Sequence, residues 1–202
     1  MEFTLKRTVQ VTAFLLLLAA VTQALYTALY IAEADVPRQL LWGLEGLIFV
    51  LLAAFAGSAL ADSKRFSLGF SAIAASAVLN VVQVGVGLTM FGPFREAAGA
   101  VDGMAPAAGG VVAYSFMVYN AAKILLGLAA FVFGMANMNA GGGGAKALGA
   151  ITALVGLVAM VANAASMAMG RTVFGDLPLA GGSGVLATLL LALCLSAAVK
   201  DD

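Results

Sequence analysis

Six apolar runs, each long enough to cross a lipid bilayer as an α-helix, occupy most of this chain. A spanning helix needs about 20 mostly apolar residues, whereas the apolar stretch of a signal peptide is only about 7–15 residues long. The first run stays apolar as far as Ile31, so we interpret it as an uncleaved helix. The predicted spans are residues 8–32, 39–61, 66–91, 110–137, 147–170 and 183–199.

The composition also indicates a membrane protein. Hydrophobic residues make up 63% of the 202 positions, charged residues make up 10%, and the mean hydropathy is +1.06. Water-soluble domains carry about 25% charged residues. We therefore expect a multi-pass protein of the cell inner (plasma) membrane, with membrane lipid as its surroundings. The formal net charge is zero, so the chain has no excess of positive charge with which to bind nucleic acid.

The loops on the two sides of the predicted bundle differ in charge. Basic residues of membrane proteins concentrate on the cytoplasmic side. One side of this bundle carries Lys6, Arg7, Lys64, Arg65, Lys146 and Lys200. The other side carries Arg38, Arg95 and Arg171 together with Glu33, Asp35, Glu96, Asp102 and Asp176. This distribution predicts that both termini are cytoplasmic and that five aromatic residues mark the outer interface: Tyr30, Trp42, Phe91, Phe94 and Phe174.

Two segments, 83 positions apart, share the pattern N-x6-G-x-T-x-F-G at residues 80–92 and 163–175. They end the third and fifth spans, and AVTQ at 20–23 resembles AVLN at 77–80. LAAF also occurs at both 52–55 and 128–131, in the second and fourth spans. The predicted fold is all-α, with one domain over residues 1–202 made of three tandem helical hairpins, 8–61, 66–137 and 147–199. Such repeats predict a pseudo-symmetry axis along the membrane normal.

Strong polar residues within the spans concentrate at one depth. Counted from the outer ends they lie about 7–12 residues deep, or roughly 10–18 Å at 1.5 Å per residue. The opposite halves of the spans are predicted to be nearly free of strong polar groups. We refer to the following residues as the polar layer: Gln23, Glu45, Asn80, Gln83, Asn120, Lys123 and Asn163.

The polar layer has two interpretations. Polar residues inside a membrane usually face the bundle interior, where they can line a ligand site. In that case the polar layer would bind a solute, with Tyr26 and Tyr119 at the margin of the site. Alternatively, the amides would only connect helices, through bonds that contribute about 0.6 kcal/mol each.

Lys123 is expected to need an acidic partner. A charge at the bilayer centre costs at least about 2.5–3.5 kcal/mol, and Glu45 is the only acidic residue within a predicted span. We hypothesise an ion pair between Lys123 and Glu45, either direct or through water. Its role is open at this stage: it could fix two helices, hold an anionic group of a substrate, relay protons, or provide a Schiff base and its counter-ion.

The residue types that are missing exclude several chemistries. The chain has no histidine and one cysteine, Cys194, which excludes histidine-ligated metals, histidine acid–base catalysis and an intrachain disulfide. The glycine run at 139–146 lacks the GK[ST] ending of a phosphate-binding loop. We therefore expect no enzyme activity, no cofactor and no metal.

The expected function is that of a small polytopic membrane protein with an outward-facing polar pocket. That pocket would bind or transport a small polar solute, with anions among the candidates. The alternative is a non-catalytic structural or accessory subunit of a larger membrane complex. Its partners would then be other membrane subunits or a second copy of this chain.

Overall fold

The computed structural model describes residues 4–32, 34, 36–140, 142–170, 172–175 and 177–198. The loop charges Glu33, Asp35, Arg171, Asp176 and Lys200 and the side chain of Tyr30 lie outside the described residues. The regular elements are all helices: α1 (Leu5–Ile31), α2 (Gln39–Asp62), α3 (Ser67–Thr89), α4 (Phe91–Ala100), α5 (Ala105–Ala140), α6 (Gly143–Met169) and α7 (Leu179–Ala198).

Within the described part of the chain, six helices are long and apolar enough to cross a membrane: α1, α2, α3, α5, α6 and α7. Their outer surfaces carry large apolar side chains such as Leu154 and Val161, which are 64% and 62% exposed. These findings confirm the prediction of an all-helical protein with six membrane-length helices. The segment after α3 forms a further short helix, α4, which is not one of the predicted spans.

Helix α5 occupies the middle of the bundle. It contacts α3, α4, α6 and α7. Contacts between helices run in a closed ring from α1 through α2, α3, α5 and α7 back to α1, and α6 packs on α5 and α7. Because α5 carries Asn120 and Lys123, this position places the centre of the polar layer inside the bundle.

Helices α5 and α6 approach each other closely at four glycines. A Cβ atom on Gly134 would lie 2.6 Å from the backbone nitrogen of Ala153, and one on Gly127 would lie 2.7 Å from the carbonyl oxygen of Gly156. A Cβ atom on Gly149 would lie 2.6 Å from the carbonyl oxygen of Gly134. The two helices are therefore antiparallel, and only glycine fits at these positions. We refer to Gly127, Gly134, Gly149 and Gly156 as the glycine seam, a type of contact that is common between membrane helices.

A buried apolar core lies on one side of the polar layer. Its large, fully buried side chains include Phe49, Leu52, Ile73 and Leu126. On α5 the core begins at Leu126, one helical turn after Lys123. The lysine therefore marks the boundary between an apolar half and a more polar half of the bundle.

The half of the bundle opposite the polar layer contains a buried amide, Asn137, that is not among the strong polar residues predicted within the spans. Its Nδ2 donates to the carbonyl oxygen of Cys194 at 3.1 Å and to the Cys194 Sγ at 2.9 Å, which joins α5 to α7. The sequence placed Asn137 at the end of the fourth span, but α5 continues to Ala140. A buried amide needs hydrogen-bond partners, and Cys194 provides them.

Candidate functional site

The structure buries six of the seven side chains of the polar layer, and Gln83 is half-buried. Lys123 is 0% exposed and Glu45 is 6% exposed. The contacts of the seven side chains differ in kind. They divide into a charged group around Lys123, amides that bind the bundle itself, and Asn120, which faces a cavity.

Lys123 lies at the centre of the charged group. Its Nζ donates a hydrogen bond to Oε1 of Gln23 and lies 5.2 Å from the centroid of the Tyr119 ring, a distance typical of a cation–π interaction. The carboxyl group of Glu45 interacts electrostatically with Lys123 and with the side chain of Gln23. We refer to Gln23, Glu45 and Lys123 as the charged triad.

Gln23 connects the two charged residues of the triad. Within the described residues, no nitrogen–oxygen contact of 4.0 Å or less joins Lys123 directly to Glu45. A glutamine side chain accepts through its oxygen and donates through its nitrogen. Because Gln23 accepts from Lys123, its N–H groups are available to the carboxylate. The sequence placed Gln23 in the polar layer but gave no signal for this pairing, since the two partners are 100 positions apart.

Helix α7 leaves room for the aliphatic part of Lys123. A Cβ atom on Gly184 would lie 2.8 Å from Cδ and 2.9 Å from Cγ of the lysine. Glycine at 184 therefore allows the lysine side chain to pass between α5 and α7 towards Gln23. The position of the charged triad depends on this contact.

We expect Gly184→Ala to lower the melting temperature more than Gly182→Ala. An added Cβ atom at 184 displaces the Lys123 side chain, and overpacking of this kind costs about 1–3 kcal/mol. Gly182 lies in the same helix, and no described heavy atom lies within 4 Å of a Cβ atom built there. It is therefore a matched control for helix propensity. Thermal unfolding of the purified variants measures the difference, and equal melting temperatures would contradict the packing of Lys123 against α7.

The two asparagines of the predicted repeat make the same local bond. The Nδ2 of Asn80 donates to the carbonyl oxygen of Ser76 at 2.9 Å, and the Nδ2 of Asn163 donates to that of Ala159 at 2.8 Å. Asn163 also donates to the carbonyl oxygen of Ala180 in α7 at 3.0 Å. The Oδ1 of each asparagine has no hydrogen-bond partner among the described residues. The side-chain nitrogens of both asparagines thus donate to backbone carbonyl oxygens of the bundle.

Two serines connect α3 to α5 beside the charged triad. Ser76 Oγ donates to the carbonyl oxygen of Ala122 at 2.8 Å, and Gln83 Nε2 donates to Ser115 Oγ at 3.3 Å. Neither serine belongs to the polar layer that the sequence predicts. Ser76 precedes Asn80 by four residues and so shares its helix face, which is the signal that would have identified it.

A cavity of about 770 Å³ lies on the α4 side of the charged triad, among α1, α2, α4, α5 and α6. Ligand sites in proteins have volumes of roughly 300–1,000 Å³. The described lining of α5 runs from Ala108 to Asn120, and Asn120 and Ser166 are both buried, so we refer to their end of the cavity as the deep end. Lys123 lies one turn beyond Asn120 on α5. The cavity therefore ends where the charged triad begins.

Two arginines line the cavity on the side away from the charged triad. The guanidinium carbon of Arg38 lies 5.5 Å from the centroid of the Tyr26 ring, and its Nη2 donates to the carbonyl oxygen of Ala34 at 3.3 Å. Arg95 enters the cavity lining from α4. No carboxylate is among the described lining residues. The described lining residues therefore carry a net positive charge.

Aromatic side chains form one wall of the cavity. The centroid of Trp42 lies 6.0 Å from that of Tyr26 and 5.7 Å from that of Phe91. A Cβ atom on Gly87 would lie 3.4 Å from the Trp42 ring, so α3 also packs against the indole. Phe94 of α4 lines the cavity as well. The aromatic residues that the sequence assigned to the outer interface thus include three that face a cavity.

Of the predicted ligand-binding residues, Tyr26 and Asn120 line the cavity. The predicted residues that are not among its described lining are Gln23, Glu45, Asn80, Gln83, Tyr119, Lys123 and Asn163. Arg38 and Arg95 line the cavity although the sequence predicts them only as loop charges and not as site residues. Both arginines lie on the predicted outer side of the membrane, where basic residues are few. This unusual position is the signal that could have identified them as site residues.

Comparison of the chain with protein-family models, with curated proteins and with solved structures finds no match. The class of the protein follows from its fold. The regular elements of the described residues are all helices, and six of them have membrane-spanning length, which indicates a multi-pass membrane protein.

Proposed function

We propose that this protein binds a small polar solute in the cavity beside α4 and moves it across the membrane. The observation that carries the proposal is the cavity of about 770 Å³, which Arg38 and Arg95 line and which ends at Asn120. Arginine N–H groups form strong, often bidentate hydrogen bonds with anions. An anionic solute is therefore the best match to the lining.

In this proposal the charged triad closes the deep end of the cavity. Lys123 is fully buried and donates to Gln23, which connects α5 to α1. A solute that travels beyond Asn120 must pass this connection. Separation of α1 from α5 at the Gln23–Lys123 hydrogen bond is therefore the step that would open the path.

The proposal includes the predicted topology of three hairpins with cytoplasmic termini in an inner membrane. The equivalent hydrogen bonds of Asn80 and Asn163 support the repeat on which the hairpins are based. The concentration of basic residues in alternate loops supports the cytoplasmic termini. With this topology the cavity opens to the outer side of the membrane.

A non-catalytic structural or accessory subunit is the second candidate, and one observation favours it. Much of the polar layer is bonded within the bundle: Lys123 to Gln23, Asn163 to Ala180 of α7. Such bonds hold helices together without any solute. In this alternative, lipid or a partner subunit fills the cavity.

Thermal-shift screening in nanodiscs tests the proposal with panels of small anions, amines and neutral polar solutes. We expect at least one anion to raise the melting temperature saturably, because a ligand at 100 times its Kd stabilises the folded state by about 2.7 kcal/mol. The double variant Arg38→Gln/Arg95→Gln should lose the shift. Arg65→Gln is the matched control, since Arg65 lies beyond the opposite end of α2 and packs on Phe66. A panel without any shift, together with purification in a stoichiometric complex, would favour the accessory subunit.

A further inference from the structure

We infer that the ligand of the cavity is an amphipathic anion, with one negatively charged head group on an apolar or aromatic body. This inference rests on the proposed function and names its ligand class. Its three parts are a site for the head group, a wall for the body and an uncharged deep end.

The two arginines define the site for the head group. The Tyr26 ring and the Ala34 carbonyl oxygen fix the orientation of the Arg38 guanidinium. Within the described residues the guanidinium donates one hydrogen bond, to Ala34, which leaves its other N–H donors for a carboxylate, sulfate or phosphate oxygen. Arg95 supplies a second guanidinium from α4.

The wall of the cavity is apolar. Trp42, Phe91 and Phe94 contribute aromatic rings, and Phe116 and Met117 extend the apolar surface along α5. A small hydrated anion would leave this surface in contact with water. A ligand with an apolar body covers it, and the removal of apolar surface from water favours binding. The wall therefore distinguishes an amphipathic anion from an inorganic one.

The deep end of the cavity is polar but uncharged. Asn120 and Ser166 line it, and both are neutral side chains that donate and accept hydrogen bonds. The next charged group on α5 is Lys123, which is fully buried and donates to Gln23. A second charge at the far end of the ligand would therefore have no charged partner among the described lining residues. A ligand with a single charged end fits best.

Two sources supply this chemistry. One is a water-soluble amphipathic acid, and the other is an anionic phospholipid of the surrounding bilayer. Both combine an anionic head group with an apolar body. The experiment below distinguishes them by the composition of the nanodisc.

Trp42 provides a fluorescence signal that is specific for this site. It is the only tryptophan of the chain and lines the cavity. In nanodiscs of zwitterionic lipid, the protein is titrated with 3-phenylpropanoate. The matched probes are 3-phenylpropylamine, 3-phenylpropanol and acetate, each of which lacks either the negative charge or the apolar body. We expect a saturable change of Trp42 emission with 3-phenylpropanoate, with an affinity at least tenfold above those of the matched probes.

Variants and lipids complete the test. Arg38→Gln/Arg95→Gln should weaken binding of 3-phenylpropanoate by about tenfold or more, because charged hydrogen bonds are lost, whereas Arg65→Gln should leave it unchanged. If the source is lipid, nanodiscs that contain anionic phospholipid should change the emission before any acid is added. That change should disappear in the double arginine variant. Either pattern supports the ligand class and identifies its source.

Other outcomes would overturn the inference. Equal affinities for acetate and 3-phenylpropanoate would show that the apolar wall does not contribute. Tighter saturable binding of the amine or the alcohol would refute the anionic class and leave the proposed solute site intact. If neither the probes nor anionic lipid change the emission, and the thermal-shift panels also give no shift, both the ligand class and the proposed function are refuted.

Discussion

Replacing Gly134 with alanine is expected to lower the free energy of unfolding by about 1–3 kcal/mol through overpacking. The added Cβ atom would lie 2.6 Å from the backbone nitrogen of Ala153 and 2.7 Å from the carbonyl oxygen of Gly149. These are backbone atoms, so they move only if α5 and α6 separate. The loss is expected even though alanine is about 1 kcal/mol better than glycine within a helix.

Gly57→Ala is the matched control for this prediction. Gly57 lies inside α2, and no described heavy atom lies within 4 Å of a Cβ atom built there. We expect this change to be neutral or to stabilise the protein by up to about 1 kcal/mol, as helix propensity dictates. Reversible unfolding in mixed detergent micelles, followed by circular dichroism, measures both variants. Effects of the same sign and size would contradict the close contact at the glycine seam.

Lys123→Met is expected to destabilise the protein by about 3–5 kcal/mol, the usual cost of removing one partner of a buried pair of charges. Without the lysine, the Glu45 carboxylate stays in the bundle without its opposite charge, and Gln23 Oε1 loses its donor. The double variant Lys123→Met/Glu45→Gln should recover part of this loss, because it leaves no uncompensated charge.

A double-mutant cycle with these two variants and the single variant Glu45→Gln gives the coupling between the two charges. Lys146→Met serves as the control, since Lys146 is exposed in the first turn of α6, and it should change stability little. Gln23→Leu tests the connection between the charges and should reduce the coupling measured for Lys123 and Glu45. Additive effects of the two single variants would contradict the charged triad.

The helices could be predicted from the sequence because the constraint that forms them is local. Lipid offers no hydrogen-bond partners to the backbone, so long apolar runs must be helical. The ends of the helices are harder to predict from the sequence, because the proportion of apolar residues changes gradually at the membrane–water interface. Helix α5, for example, begins at Ala105 rather than near residue 110, and it ends at Ala140.

Only part of the candidate site could be predicted in the same way. Depth along each span brought Gln23, Glu45 and Lys123 into one layer, since depth follows from position in the sequence. Which side chains of that layer touch depends on how the helices rotate and pack, and the sequence does not give those angles. For the same reason the cavity was missed, although Arg38 and Arg95 were visible as basic residues on the side with few of them.

The glycine seam could have been recognised from the sequence. Gly127 and Gly134 are seven residues apart, as are Gly149 and Gly156, and a spacing of seven places residues on one helix face. The pattern extends over two adjacent spans, which predicts a close helix–helix contact. Because this chain has few polar residues, the positions of its small residues are as informative about helix packing as the positions of its polar residues.

Thiol labelling from outside the membrane tests most directly whether the cavity opens outward and ends at Asn120, above a closed charged triad. Cys194→Ser removes the only cysteine and retains an acceptor for Asn137. In this background, Asn120→Cys, Leu126→Cys and Val158→Cys are each treated with a membrane-impermeant thiol reagent in sealed, right-side-out vesicles. Asn120→Cys should react, whereas Leu126→Cys in the apolar core and Val158→Cys on the outer surface of α6 should not. Unreactive Asn120→Cys, or equally fast labelling of Leu126→Cys, would contradict this arrangement.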